Sequence, residues 1–215
     1  MSLRLHFHPL SSFAQKVLVA LYENDTPFEP KILQAGDEGA AAELRELWPI
    51  GKFPVLQDLA RDSLIPESTI IIEYLAQYFP GNSVLIPTDA DLARQTRLRD
   101  RFFDLYVNMQ MQKIIGDRLR PAGQKDPFGT EEARKTLQTA YGLVDSAMAA
   151  KHWATGDTFS MADCAAAPAL FYADLVEPFR QTHVHVAAYL DRLLARPSFA
   201  RAFKEAEPYR SLIPK

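Results

Sequence analysis

The sequence is poor in cysteine. Cys164 is the single cysteine among 215 residues, so no intrachain disulfide can form and no cysteine-based zinc site is available. His183 and His185 are two positions apart, a spacing that does not place both side chains on one helix face. We therefore expect no metal site. Cys164 lies in a strongly apolar segment and is expected to be a buried structural thiol.

The sequence also lacks a charge excess and long apolar runs. Its 24 Lys and Arg residues are balanced by 27 Asp and Glu residues, and no long basic run is present to neutralise phosphates. We therefore expect no nucleic-acid partner. No apolar run approaches the length of a membrane span, and the first residues lead into a strand pattern without the apolar core of a signal peptide. These absences predict a cytoplasmic protein that is not embedded in a membrane.

The first 80 residues alternate between strand and helix patterns. Hydrophobic residues make up 47% of the chain, which is ample for a packed core. The element order β-α-β-α-β-β-α predicts a small mixed sheet covered by helices. The predicted strands lie at 3–7, 27–33, 54–56 and 63–65, and the predicted helices at 12–24, 40–47 and 67–79.

The remainder of the chain shows helical patterns only. Pro80 and Gly81 end the preceding helix and open a linker over 81–88. The predicted helices lie at 89–118, 131–150, 160–175, 184–195 and 198–205, with a loop over 121–129. The nearly all-apolar helix at 160–175 is expected to be central and buried. The expected organisation is a mixed domain at 1–80, a linker at 81–88 and an all-helical domain at 89–215.

The apolar period changes from two to that of a helix within a few residues near the start of the chain. Leu3, Leu5 and Phe7 alternate with polar residues, whereas Ala14 and Val17 begin a helical stripe. The segment Ser11-Ser12-Phe13-Ala14 lies at this change, where the first free amides of the helix favour an anion. A serine at this place either caps the helix or donates a hydrogen bond to a bound anion.

Two further segments carry polar groups at the starts of elements. In Gly51-Lys52-Phe53-Pro54-Val55-Leu56, a cis bond before Pro54 would leave the main chain of Phe53 free for a ligand, although an edge-strand proline explains the pattern as well. In Ile65-Pro66-Glu67-Ser68-Thr69, the acid and hydroxyl groups fit ordinary capping. They also fit the binding of an amino-acid-like ligand through its ammonium and carboxylate.

Together these segments resemble the cytosolic glutathione transferase family and, within it, bacterial serine-type members. The resemblance includes Gly156 to Asp163, a stretch that forms a capping box between Ser160 and Asp163 and is interpreted as structural. It covers essentially the whole chain. It implies a thioredoxin-like α+β N-terminal domain that binds glutathione, followed by an all-α domain that contributes the acceptor-substrate pocket.

The resemblance also implies site residues. Ser11 would hydrogen-bond the glutathione sulfur, with Ser12 as the alternative. The implied glutathione-binding residues are Lys52, Phe53, Pro54, Glu67 and Ser68, and the candidates for the acceptor pocket are Leu10, Phe103, Tyr106 and Met109. For each of these four, an ordinary core position is the competing interpretation.

The expected function is conjugation of glutathione to an electrophilic small molecule, as in detoxification, by a homodimer. Both the reaction and the dimer are implications of the resemblance. Glutathione-dependent isomerisation, dehalogenation or peroxide reduction on the same fold stays an alternative, because glutathione brings the sulfur in each case. A non-catalytic interaction module is a further alternative, since fold alone does not settle function.

Overall fold

The computed structural model describes residues 2–34 and 36–214. The first part contains a four-stranded mixed sheet of order β2-β1-β3-β4, in which only the β1–β2 pair is parallel. The strands are β1 (Leu3–Phe7), β2 (Glu29–Ile32), β3 (Val55–Asp58) and β4 (Ser63–Pro66), and the helices are α1 (Ser12–Glu23), α2 (Glu38–Leu47) and α3 (Ser68–Tyr78). The predicted α+β architecture is confirmed.

Helix α1 forms where the apolar stripe predicts it. Ala14, Val17, Leu18 and Leu21 are all completely buried. They recur at helical spacing, so they lie along one face that packs into the core. Ser11 is the N-cap residue, and its Oγ accepts a hydrogen bond from the amide of Ala14 at 3.2 Å.

His6 departs from the expectation of a polar outer face on β1. It is completely buried, and its Nε2 lies 2.7 Å from Oε1 of Gln57. His6 is paired with Val55 on β3, so the two side chains share one face of the sheet. Leu44 of α2 packs with Val55 there and covers that face. Both faces of the sheet are therefore buried at this point.

The remainder of the described chain is helical. Its helices are α4 (Ala90–Phe102), α5 (Met109–Leu119), α6 (Pro127–Met148), α7 (Met161–Val176), α8 (Val184–Leu194) and α9 (Pro197–Ala206), with a π-helical segment (Phe103–Asn108) between α4 and α5 and a final 3-10 segment (Glu207–Leu212). The all-helical character of this part is confirmed. No helix within residues 2–34 and 36–214 has the length and apolar character needed to cross a membrane.

The structure differs from the prediction at two places in the helical part. The single helix expected over 89–118 is two helices joined by the π-helical segment, which widens the turn within an otherwise continuous helical path. The loop expected over 121–129 ends early, because α6 begins at Pro127 with Asp126 as its N-cap. The carboxylate of Asp126 accepts from the amide of Gly129 at 2.7 Å, and proline is favoured in a first helical turn.

Helix α7 is the buried centre of the molecule, as predicted. Cys164 on this helix is completely buried, and burial raises the pKa of its thiol well above the ordinary value. At the start of α7, Asp163 accepts hydrogen bonds from the amide of Ser160 at 2.9 Å and from the hydroxyl of Tyr189 at 2.6 Å. This buried carboxylate is committed to structure.

Candidate active site

The five residues predicted to bind glutathione line one cavity of about 450 Å³, called here the Glu67 cavity. They come from two separate segments that the β3–β4 pairing brings together. Val55 is paired with Pro66, so Phe53 and Pro54 lie beside the start of α3. The full lining is Phe13, Trp48, Lys52, Phe53, Pro54, Glu67, Ser68, Thr69, Ile70, Arg101, Asp104, Leu105 and Met109. The peptide bond between Phe53 and Pro54 is cis.

Glu67 has an unusual backbone conformation, and its side chain does not cap the helix that it begins. Its φ is +70°, in the left-handed region that non-glycine residues seldom adopt. It is the N-cap residue of α3, yet its side chain makes no capping hydrogen bond. Backbone strain of this kind clusters at ligand-binding positions. The conformation projects an exposed carboxylate at the cavity and leaves it available to a cation.

A buried ionic cluster supports the start of α3 from beneath. Lys16 of α1 is almost completely buried, and its Nζ lies 2.6 Å from Asp100 and 2.8 Å from Asp104. The same Nζ donates to Oγ1 of Thr69 at 2.9 Å, and Thr69 donates to Asp100 at 2.7 Å. Burial raises the pKa of Asp104, and the charge of Asp100 adds to this against the effect of Lys16. The cluster ties α1 and α3 to α4 next to Ser68.

Arg101 and Asp104 are cavity residues that the sequence interpretation missed. Arg101 is half exposed. Its guanidinium lies 3.7 Å from Asp104, three residues further on, and both line the Glu67 cavity. The acidic-basic spacing gives no sign of a cavity, because it is equally typical of a solvated helix.

The two predicted serines line a second cavity, called here the serine cavity, of about 180 Å³. Its lining is Leu10, Ser11, Ser12, Met111, Gln112, Ile115, Tyr172, Ile213 and Pro214. The first turn of α1 borders both cavities, since Ser12 lines one and Phe13 the other. Hydroxyl groups at a helix N-terminus therefore face a small apolar space beside the Glu67 cavity.

Ser11 and Ser12 differ in what their hydroxyl groups can do. Ser11 is partly exposed, and its Oγ accepts from Ala14, so its hydroxyl hydrogen is free of an acceptor among the described residues. Ser12 is buried, and its Oγ accepts a long hydrogen bond of 3.4 Å from Gln112. Ser11 is therefore better placed than Ser12 to donate a hydrogen bond to a ligand that reaches the serine cavity.

The four acceptor-pocket candidates do not all lie at the cavities. Leu10 lines the serine cavity and Met109 the Glu67 cavity. Phe103 is buried, with its ring 5.7 Å from that of Phe102. Tyr106 is half exposed and lies outside the lining of both cavities.

Comparison with known proteins identifies the fold and its two parts. The family model of the glutathione S-transferase N-terminal domain matches residues 5–83, and that of the glutathione S-transferase C-terminal domain matches residues 127–192. Glutathione S-transferase GstB of Escherichia coli (strain K12) is 27% identical over 163 residues, which are 75% of this chain and 78% of that protein. A glutathione S-transferase of Hyoscyamus muticus is 26% identical over 215 residues, covering 95% of this chain and 99% of that protein.

A solved structure gives the same result. The glutathione S-transferase of Methylobacterium radiotolerans, crystallised in complex with glutathione sulfonate, has a TM-score of 0.82 and 27% identity over 93% of each chain. The two domain models together cover more than half of the sequence and fall on the mixed and helical parts of the fold. The chain therefore belongs to the glutathione S-transferase family.

Proposed function

We propose that this glutathione S-transferase binds glutathione in the Glu67 cavity, activates its thiol with Ser11 and transfers it to an electrophilic small molecule. One observation carries the proposal. Two segments that each looked like ordinary capping or edge-strand sequence converge on one cavity and present Lys52, Phe53, Glu67 and Ser68 to it. A relative of similar fold is known with glutathione sulfonate bound.

The charges of the cavity match the ends of glutathione. The carboxylate of Glu67, which makes no capping bond, is suited to the ammonium of the γ-glutamyl end. The free amides at the start of α3 beside Ser68 are suited to its carboxylate. Lys52 supplies a cation for the glycyl carboxylate. The main chain of Phe53 would pair with the cysteinyl unit, which leaves the sulfur directed towards the first turn of α1.

The activation required is within reach of one hydroxyl and one helix end. A free thiol with a pKa of about 8.5 is only roughly 3% ionised at neutral pH. Lowering that pKa by about two units takes on the order of 2.7 kcal/mol in favour of the anion. A hydrogen bond to a charged group contributes about 1.5–3 kcal/mol, and a helix N-terminus about 0.3–1 kcal/mol. Ser11 and the dipole of α1 therefore suffice without a general base.

The chemical step is a nucleophilic attack by sulfur. The thiol proton leaves to solvent as glutathione binds, and the thiolate then forms a carbon–sulfur bond with the electrophile. In a substitution the leaving group departs with the bonding electron pair. In an addition to an activated double bond, the carbanion takes a proton from solvent. Leu10 and Met109 border the space where the acceptor would approach.

The test compares Ser11→Ala with Ser12→Ala. For Ser11→Ala we expect kcat with a panel of electrophiles to fall about ten- to hundredfold and the thiolate absorbance of bound glutathione to shift to higher pH, since a donor to the anion is lost. Ser12→Ala should change kcat by less than about threefold and leave the pH dependence of the thiolate absorbance nearly unchanged. Because Ser11 also caps α1, Asp89→Ala serves as control: Asp89 caps α4 through Leu92 at 2.9 Å, away from both cavities.

Two results would contradict the proposal. Unchanged kcat and thiolate titration in Ser11→Ala would remove Ser11 as the activating residue. Failure of the wild-type chain to bind glutathione would remove the transferase assignment in favour of a non-catalytic interaction module. The electrophile panel includes isomerisable, halogenated and peroxide substrates, which separate the reaction classes.

The proposal includes a homodimer. Two exposed apolar side chains, Ile70 and Leu98, lie on α3 and α4, which a bidentate ion pair between Arg97 and Glu73 joins. An apolar surface on two linked helices supports self-association. A cytoplasmic location and a role in detoxification stay predictions from the sequence and the family.

A further inference from the structure

Tyr172 is a buried phenol of the helical domain that faces the serine cavity. It lies on α7, is 5% exposed, and lines the cavity together with Ser11 and Ser12. The proposed activation of glutathione uses groups of the first domain only, so it leaves Tyr172 without a role. Tyr172 is thus a third hydroxyl-bearing residue in the lining of the serine cavity, beside the first turn of α1.

The hydrogen bonding of Tyr172 leaves its own hydrogen unused. Gln15 Nε2 donates to the carbonyl of Pro9 at 2.9 Å and to the phenol oxygen of Tyr172 at 3.1 Å. The carbonyl of Pro9 can only accept, which fixes the orientation of the Gln15 amide. The phenol is therefore an acceptor in this bond. Within residues 2–34 and 36–214, its O–H has no acceptor.

An unused buried donor is a feature that calls for a ligand. Buried tyrosine hydroxyls usually find a partner, and leaving a buried polar group unpaired is unfavourable. Burial raises the pKa of Tyr172 to about 12, against the opposing effect of the Gln15 hydrogen bond. The phenol is therefore protonated at neutral pH and able to donate.

We propose that Tyr172 is a second hydrogen-bond donor to the glutathione thiolate, acting from the helical domain opposite Ser11. The inference rests on the proposed binding of glutathione and adds a catalytic residue to it. With donors on two sides, the sulfur is held at the junction of the domains as well as stabilised as an anion. Gln15 is then a positioning residue, because its amide fixes where the phenol oxygen lies.

The experiment uses Tyr172→Phe, which deletes one oxygen and keeps the ring that packs against Phe171 at 5.2 Å. We expect the thiol pKa of bound glutathione to rise by about one unit and kcat below that pKa to fall about tenfold, with KM for glutathione changed less than about twofold. The matched control is Tyr141→Phe. Tyr141 is also buried, but its hydroxyl donates to the carbonyl of Glu177 at 3.2 Å, outside the lining of the serine cavity.

A second variant keeps the test decisive if Tyr172→Phe folds poorly. A fluorinated tyrosine at position 172 is a stronger donor of the same shape, so the thiol pKa should fall instead of rise. Wild-type titration and kcat in Tyr172→Phe, or no shift with the fluorinated residue, would overturn the inference while Ser11→Ala still reports on the proposed function. A wild-type chain that does not bind glutathione would overturn both.

Discussion

At the scale of single residues, Glu67 combines backbone strain with an uncommitted charge. Holding a non-glycine residue at positive φ costs about 1–3 kcal/mol. The structure keeps this conformation although the side chain makes no capping bond in return. The cost is explained if the conformation serves a ligand rather than the helix.

Replacing Glu67 by Gln tests that explanation. The variant keeps the size and backbone of the residue and removes the charge that would meet the γ-glutamyl ammonium. We expect KM for glutathione to rise about tenfold with kcat changed less than about threefold, since a charged hydrogen bond contributes about 1.5–3 kcal/mol. Steady-state kinetics at saturating electrophile measure both. Glu131→Gln, at an exposed position of α6, is the control, and an unchanged KM in Glu67→Gln would argue against the assigned orientation of glutathione.

Residue identity alone did not reveal which charges are buried. Lys16, Asp100 and Asp104 look like solvated helix residues in the sequence, because each flanks apolar positions of an amphipathic pattern. Their burial depends on partners that lie more than 80 positions apart in the chain. In contrast, Glu67 and Ser68 could be selected, because they combine a charge and a hydroxyl at the start of a helix.

At the scale of elements, α1 is the helix on which the site depends. It carries Ser11 at its start, and it contributes Lys16 to the ionic cluster with Asp100 and Asp104. Lys16 contacts both buried carboxylates, whereas the half-exposed Arg101 lies 3.7 Å from Asp104 and is screened by solvent. Removing Lys16 therefore leaves buried negative charge with little compensation, whereas the apolar face of the helix would be unaffected.

We therefore expect Lys16→Met to lower the free energy of unfolding by about 3–5 kcal/mol. The loss should be larger at mildly alkaline than at mildly acidic pH. Burial already raises the pKa of Asp104, and proton uptake at low pH relieves the repulsion with Asp100. Urea denaturation at two pH values measures this. Lys135→Met, which removes an exposed lysine paired with Glu132, should leave the free energy of unfolding almost unchanged. An equally small effect of Lys16→Met would mean that the ionic cluster does not stabilise the packing of α1 against α3 and α4.

Helices and strands were predictable where apolar side chains recur with the period of a helix or a strand. The stripe of α1 and the alternation of β1 located both correctly. The π-helical segment at Phe103–Asn108 was not predictable, because Phe102, Leu105 and Met109 fit an ordinary helix equally well. The start of α6 does have a local sequence signal, namely Asp126 followed by Pro127.

At the scale of the whole molecule, the exposed surface of α3 and α4 stands out. Leu98 is 64% exposed, and Ile70 on the neighbouring helix is 52% exposed. A two-fold dimer would cover such a surface with its own copy. It would also place the second copy near the Glu67 cavity, since Ile70 lines that cavity.

Leu98→Glu is expected to convert the proposed dimer into a monomer, because the contact would bury a carboxylate in apolar surroundings. Analytical ultracentrifugation gives the mass, and circular dichroism verifies that the fold persists. The control is Leu143→Glu on α6, which changes another exposed leucine, 55% exposed, away from this surface. A monomeric wild type, or a dimeric Leu98→Glu, would contradict the proposed association.

The contact between α1 and the helical part has a consequence for how the molecule comes apart. Glu23 at the end of α1 accepts two hydrogen bonds of 2.6 Å from Arg196, and one continuous apolar cluster contains residues of both α1 and α7. A protease that cuts the chain between α3 and α4 would therefore leave two fragments that stay associated and retain their shape. Synthesised alone, the first fragment would expose the apolar side of α1 to water. We therefore expect the sheet to fold stably only after much of the helical part has been synthesised.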